Sequence, residues 1–484
     1  MNKFYLTTAI PYVNGRPHVG HTLEYFQADV IRRYHQDLGE ETFLLSGADE
    51  NALKNVQAAK KEGLPIKDYL DKYSKIWKDT YELVGVHLDV FQRGSDEKKH
   101  WPGVQKLWKL CEKNGDIYKK PYEGLYCIGC ESFKNSGELV DGICPIHQTK
   151  PEKVSEENYF FKLSKYQNKL IELIESNALK IIPQNKREEA LSFIKQGLDD
   201  FSVSRSNERA QGVGVPVPND ASQKIYVWFD ALNIYMTGVG FGWDEEKWEK
   251  WWPADLHVIG KDINRFHTVY WPAMLLSAGI SLPKQILIHG FVNAKGGEKF
   301  SKSLDNAPDP KDVIDEYGLE AIRYYLLSQV PIQEDHDFIF ERFEEVYNAD
   351  LANGLGNLVA RVAKLCENAG YKQFASDKAP HLIKEYDEYK KLMEEYKFNE
   401  ALSLIWKKIR VLDKFINDEK PWELLKLSTN RKGRDLNSVL AHSVDQIAEI
   451  SILLQPFLPE TSNKIKKQFS GKEVSSQSQL FPRI

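Results

Sequence analysis

The sequence lacks several things, and each absence narrows the field. No apolar stretch is long enough to span a bilayer, which excludes a membrane-spanning helix. The first residues offer one lysine and the short run Phe4-Tyr5-Leu6 before two threonines, too little for a secretion signal. A cytoplasmic, reducing setting is the expectation, and it argues against disulfides among the five cysteines. No G-x-x-x-x-G-K-[ST] occurs, so a phosphate would not be held by a P-loop. No G-x-G-x-x-G opens the first helix, which weakens a dinucleotide reading. Internal repeats and low-complexity tracts are absent too. A net charge of −5 gives no global sign of nucleic-acid binding, so any such contact must come from local patches.

What is present is ordinary globular composition, 42% hydrophobic and 28% charged over 484 residues, enough for roughly three domain-sized units by the length prior. The chain opens with a strand expected from Phe4 to Ile10. It breaks at Pro11 and passes an Asn14-Gly15 turn into a helix that begins His18-Val19-Gly20-His21. Histidines spaced i, i+3 share one face of a helical turn, and Gly20 lets a flat ligand approach the backbone. A helix N-terminus favours a phosphate, so a nucleotide site is one reading; two histidines that happen to be close is the other. Leu23, Phe26, Val30, Ile31, Tyr34 and Leu38 continue the helical spacing to Gly39. Thr42–Ser46 then reads as a buried strand ending at Asp49-Glu50.

This strand–helix–strand unit predicts an α/β fold with a doubly wound, Rossmann-like parallel sheet, whose ligands bind beyond the carboxyl ends of the strands. The pattern resumes far downstream. Ile225–Phe229, Asp255–Gly260 and Gln285–His289 read as strands and Phe266–Leu276 as a helix, so the sheet is split. Residues 1–113 are expected to form its first half, 114–223 an inserted domain, 224–340 the second half, and 341–484 a helical bundle. That last stretch holds 23 Lys and Arg against 21 Asp and Glu, and the rest of the chain 42 against 49. The bundle is therefore the less acidic part, weak support for an RNA-facing role.

Two further groupings carry chemistry. Cys127-Ile128-Gly129-Cys130 and Cys144-Pro145-Ile146-His147 form two knuckles that supply four ligands, Cys127, Cys130, Cys144 and His147. That set suits one closed, tetrahedral, structural zinc, with free thiols as the alternative. Cys111 and Cys366 stand alone and read as core residues. The run Gly296-Gly297-Glu298-Lys299-Phe300-Ser301-Lys302-Ser303 follows a strand. Its lysines, three apart among hydroxyls, could hold a polyphosphate and stabilise charge on a leaving pyrophosphate; a solvated basic loop is the plain alternative.

Taken together, His18-Val19-Gly20-His21 after the first strand and Lys299-Phe300-Ser301-Lys302-Ser303 after the last resemble the HIGH and KMSKS motifs of class I aminoacyl-tRNA synthetases. The finer resemblance, over nearly the whole chain, is to the methionyl-tRNA synthetase family. Ala9-Ile10-Pro11-Tyr12, Tyr226-Val227-Trp228-Phe229-Asp230-Ala231 and Gly260-Lys261-Asp262-Ile263 all look like that family. So do Tyr270-Trp271-Pro272-Ala273-Met274, the knuckles in an inserted connective peptide, Asn357 with Arg361, and Lys420-Pro421-Trp422.

The resemblance implies ATP-dependent, Mg²⁺-assisted activation of L-methionine to methionyl-adenylate, then transfer to the 3′ end of tRNA(Met). His18, His21, Lys299 and Lys302 would be catalytic, and Gly20 and Ser301 would join them around ATP. Ile10, Tyr12, Asp49, Trp228, Ala231, Leu232, Tyr235, Ile263 and His267 would form the methionine pocket. Asn357, Arg361 and Trp422 would read the anticodon. Asp49 could hold an ammonium by charge-assisted hydrogen bonding, and aromatic walls suit a thioether.

Three departures stand out. Asn51-Ala52 replaces the family's usual His-Gly after Asp-Glu, Phe300 replaces the methionine of KMSKS, and Leu304-Asp305 lacks the glycine common there. The chain ends at Ile484 without the extra C-terminal domain of dimeric relatives, so a monomer is expected. The alternatives are another class I synthetase, or a catalytically inactive tRNA-binding paralogue; the intact histidines and lysines speak against the latter.

Overall fold

The computed structural model describes residues 2–128, 132–134, 137, 139–145, 148–300, 306–372, 379–426, 435–470 and 473–484. The chain forms two compact units. One comprises Met1–Pro17 and Leu38–His289, and the other His18–Asp37 and Gly290–Ile484.

The first unit is built on a six-stranded, wholly parallel sheet. Its order is Val90–Arg93, Glu41–Ala48, Lys3–Thr7, Leu256–Gly260, Gln285–His289 and Lys180–Ile182. Strands buried on both faces need continuous apolar runs, and Leu256–Gly260 is buried at every position. The strand order reverses between Lys3–Thr7 and Leu256–Gly260, where Leu6 pairs with Leu256. That switch point opens a crevice at the carboxyl ends of both strands. Tyr5, Trp108, Phe161, Phe229, Tyr235 and Trp271 anchor one continuous core beneath it.

The split sheet expected from the sequence is therefore present, with four differences, one being that the stretch to about Asn114, read as helical, also supplies the edge strand Val90–Arg93. The first strand stops at Thr7 rather than Ile10. Ile225–Phe229 is not a strand: the strand Asp220–Ile225 ends where a short helix, Val227–Ala231, begins. An apolar run of that length fits a buried helical turn as well as a strand, and tertiary packing chose the helix. Lys180–Ile182, within the stretch read as inserted, adds an edge strand to the main sheet through pairs such as Ile181 with Ile286. The rest of that stretch carries a separate antiparallel sheet built on Ile117–Cys127 and Glu152–Phe161.

The second unit is mainly helical. It holds the helices Val19–Asp37, Leu319–Gln329, Asn357–Ala369, Phe398–Glu419, Leu436–Leu454 and Pro459–Phe469. Buried charges tie them together. Arg323, 2% exposed, pairs with Asp29 at 2.7 Å and donates to the Pro456 carbonyl. Glu320 accepts from the backbone N–H groups of Glu460 and Thr461, both at 2.7 Å, capping the helix Pro459–Phe469. Among the described residues no helix is long and apolar enough to cross a membrane.

Candidate active site

In the first unit the candidate amino-acid pocket assembles at the switch point from three segments together with Asp49, which follows Glu41–Ala48. The segment after Lys3–Thr7 brings Ile10 and Tyr12. Tyr12 bridges to Asp49, just past the end of Glu41–Ala48, and the Asp49 N–H donates to the Pro11 carbonyl at 2.9 Å. Asp49 is 3% exposed, and the Asn55 side chain donates to its carbonyl at 2.8 Å. The second segment carries Trp228 and Ala231 on the short helix Val227–Ala231, Leu232 just after it and Tyr235 on the short helix Ile234–Thr237, all buried. The third follows Leu256–Gly260 and carries Ile263 and His267. His267 lies in a π-helical turn, Phe266–Tyr270, a distortion frequent at functional sites.

The aromatic packing is specific. Tyr12 meets the edge of Trp228 at 6.2 Å between centroids, and Trp228 stacks on Phe266 at 3.7 Å with the planes 6° apart. Lys54 Nζ sits 3.3 Å from the Tyr12 ring centroid, a cation–π contact. The His267 Nδ1–H donates to the Ile263 carbonyl at 3.0 Å, so Nε2 is left as the acceptor of the Tyr235 hydroxyl at 2.8 Å. Burial pushes the His267 imidazole down to about 4, keeping it neutral at physiological pH. His257, whose ring lies 4.4 Å from that of Tyr235, is held well below the ordinary histidine value by burial and then by His267. Thr7 and His257 form a 2.7 Å hydrogen bond. Sequence reasoning missed Lys54, His257 and Phe266. Only their nearness to motif residues could have marked them.

The second unit carries the candidate phosphate elements. At the start of the helix Val19–Asp37, the Gly20 N–H donates to His18 Nδ1 and the His18 N–H to His21 Nδ1, each at 3.1 Å. Both Nδ1 atoms accept, so each neutral ring carries its hydrogen on Nε2. The two rings lie 3.9 Å apart. A Cβ at Gly20 would sit 3.0 Å from the His18 ring and 3.2 Å from Phe300, so a side chain there would press on both rings. Phe300 packs on His18 at 5.0 Å, an apolar contact with the histidine turn.

The loop that leads to Phe300 is anchored by Asp337, which accepts from the Gly296 N–H at 2.8 Å and the Gly297 N–H at 3.1 Å. Both glycines have positive φ, 82° and 78°. This Asp337 anchor was not visible in the sequence. Lys299 is exposed; Ser301 and Lys302 lie outside the described residues. On the helix Asn357–Ala369, Asn357 is exposed, while Arg361 bonds Asp413 at 3.0 Å and Asn417 at 2.6 Å. Arg361 also lies 5.0 Å from the Trp422 ring, so the structure brings these two together.

Of the four knuckle residues, Cys127 and Cys144 are described, and Cys130 and His147 lie outside the described residues. Both described thiols are buried, at 1% and 0% exposure, and neither is in a disulfide. Buried cysteines at the end of a strand and at a bridge to Thr149 fit the soft-donor half of a zinc set. Among the described residues alone, no group of three or more His, Cys, Asp and Glu is placed to hold a metal. Cys111 and Cys366 are core residues, fully buried, with burial pushing each thiol up to about 12.

A parallel sheet with polar groups gathered at its switch point is the architecture of enzymes that bind nucleotides and small metabolites. The comparisons with known proteins are more specific. The family described as "tRNA synthetases class I (M)" matches residues 4–150 and 134–363. The chain belongs to that family, the methionyl-tRNA synthetases. A methionine–tRNA ligase of Thermotoga maritima is 37% identical across 99% of this chain and 77% of its own length. One of Brucella suis biovar 1 is 36% identical across 99% of this chain and 98% of its own. A solved structure of Mycobacterium tuberculosis methionyl-tRNA synthetase in complex with methionyl-adenylate superposes with a TM-score of 0.92. It is 35% identical and covers all of both chains.

Proposed function

We propose that the protein is a methionine–tRNA ligase, which activates L-methionine with ATP and transfers it to tRNA(Met). The observation that carries the reading is the full-length match to a structure holding methionyl-adenylate. The chemistry at the switch point supports it. A buried carboxylate, Asp49, suits a substrate ammonium. Trp228, Ala231, Leu232, Tyr235, Ile10, Tyr12 and Ile263 give apolar and aromatic walls for a thioether. His267, neutral and accepting from Tyr235, adds polarity without charge.

In the first step the methionine carboxylate attacks the α-phosphate in line, giving methionyl-adenylate and pyrophosphate. No covalent enzyme intermediate is required, so the residues position the reactants and stabilise charge. His18 and His21 would donate through Nε2–H to phosphate oxygens, helped by the helix N-terminus. Lys299 and Lys302, with Ser301, would bind the β- and γ-phosphates, and the Mg²⁺ that accompanies ATP supplies charge neutralisation there. In the second step a ribose hydroxyl of the terminal adenosine attacks the adenylate carbonyl, and AMP leaves.

Cys127, Cys130, Cys144 and His147 would hold one structural zinc within a connective domain. Asn357, Arg361 and Trp422, on the helical region that follows residue 340, would contact the anticodon. Pyrophosphate exchange into ATP with each amino acid in turn tests the assignment. Exchange driven by methionine alone is the expected result. Exchange with a different amino acid, or tRNA binding without any exchange, would overturn it.

A further inference from the structure

A buried polar network in the first unit links the segments that bear the candidate methionine pocket. Asn51 lies two residues beyond Asp49. Its Nδ2 donates to Asp230 Oδ2 at 2.6 Å and to the Gly94 carbonyl at 2.9 Å. Asp230 sits between Trp228 and Ala231 on their short helix. Its other oxygen, Oδ1, meets His100 Nε2 at 2.6 Å. His100 Nδ1 is 2.8 Å from the Thr237 hydroxyl, which ends the helix Ile234–Thr237 that carries Tyr235. The exposures are 8% for Asn51, 1% for Asp230 and zero for His100 and Thr237. An ionised carboxylate only accepts, so His100 Nε2 carries the hydrogen.

We infer that Asn51, His100 and Thr237 are positioning residues that act through Asp230, fixing the spacing between Asp49 and the wall formed by Trp228, Ala231 and Tyr235. The network joins the stretch after Asp49 to the two short helices that carry Trp228 and Ala231 and then Tyr235, and no member lies on an exposed surface where its bonds could be exchanged for water. Buried bonds to a charged group are the strong kind, and removing one partner leaves an unsatisfied group behind. Small misplacements of a binding constellation are costly, so groups that lock its supports matter as much as those that touch the substrate. The network also accounts for the Asn51 departure: the amide supplies the N–H that Asp230 requires, a task an imidazole N–H at this position could also perform.

The inference rests on the pocket reading above, and the test separates the two. Methionine-dependent pyrophosphate exchange would be measured on the full chain for Asp49→Asn, Asn51→Leu, Asn51→His, Asp230→Asn and Thr237→Val. Asp230→Asn removes the negative charge and replaces one of the two accepting oxygens with a donor, and Asn51→Leu removes the donor at similar volume. Each should raise KM for methionine roughly 10- to 100-fold, with KM for ATP unchanged. Asn51→His should return the methionine KM toward the parent value. Thr237→Val, which only removes a hydroxyl, guards against a variant that fails to fold and should shift the same constant less. Parental methionine KM in Asn51→Leu and Thr237→Val, beside a raised KM in Asp49→Asn, overturns the positioning role alone. An unchanged KM in Asp49→Asn overturns the pocket reading and this inference with it.

Discussion

Acidification should weaken the first unit through its buried imidazoles, and the share carried by His267 can be isolated. The ring is 1% exposed, and burial holds it at about 4 against an ordinary 6.5. Because the folded value lies below the unfolded one, the neutral ring's contribution is fully present above about pH 6.5. It is then lost as the pH falls toward about 4, since the unfolded chain takes up the proton first. Between pH 7.5 and pH 5 the two values give a loss of about 2 kcal/mol from this residue. Protonation would also put a hydrogen on Nε2, where the Tyr235 hydroxyl now donates.

The control is His267→Gln. Its carbonyl can accept from Tyr235 and its amide can reach the Ile263 carbonyl, yet it cannot titrate. Urea unfolding followed by circular dichroism at both pH values should show the parent chain losing about 2 kcal/mol more than the variant. His257 is present in both proteins, so its own depressed titration largely cancels. Equal losses in parent and variant would refute the neutral, buried assignment of His267.

Three other outcomes are expected. Gly20→Ala should slow methionine activation by roughly 10- to 100-fold, because overpacking costs about 1–3 kcal/mol and the new methyl meets the His18 ring; single-turnover adenylate formation reads this. Cys127→Ser should lose about one zinc per chain by metal analysis, and an unchanged metal content would refute the knuckle assignment. Trp422→Ala should weaken tRNA charging while leaving pyrophosphate exchange unchanged, whereas equal losses in both would make the tryptophan a packing residue beside Arg361.

Much of the site could be read in the chain because its chemistry is local. His18, Gly20 and His21 share one helical turn, and their tautomers follow from hydrogen bonds spanning two or three residues. The strands Glu41–Ala48, Leu256–Gly260 and Gln285–His289 announce themselves as apolar runs, since a parallel sheet buries both of its faces. Trp228, Ala231, Leu232 and Tyr235 are marked by the family resemblance and not by periodicity, since Ile225–Phe229 reads as a strand and packing makes its second part a helix.

The rest depended on distance along the chain. Asp230 meets Asn51 across 179 positions and His100 across 130; Asp337 reaches back about 40 to hold Gly296 and Gly297. Tyr235 meets His267, which lies in a π-helical turn, across 32 positions. Periodicity and motif spacing report which face of an element is apolar and which groups share a turn. Which buried donor meets which acceptor is decided when the elements pack, because leaving either one unpaired would cost more than the bond itself contributes.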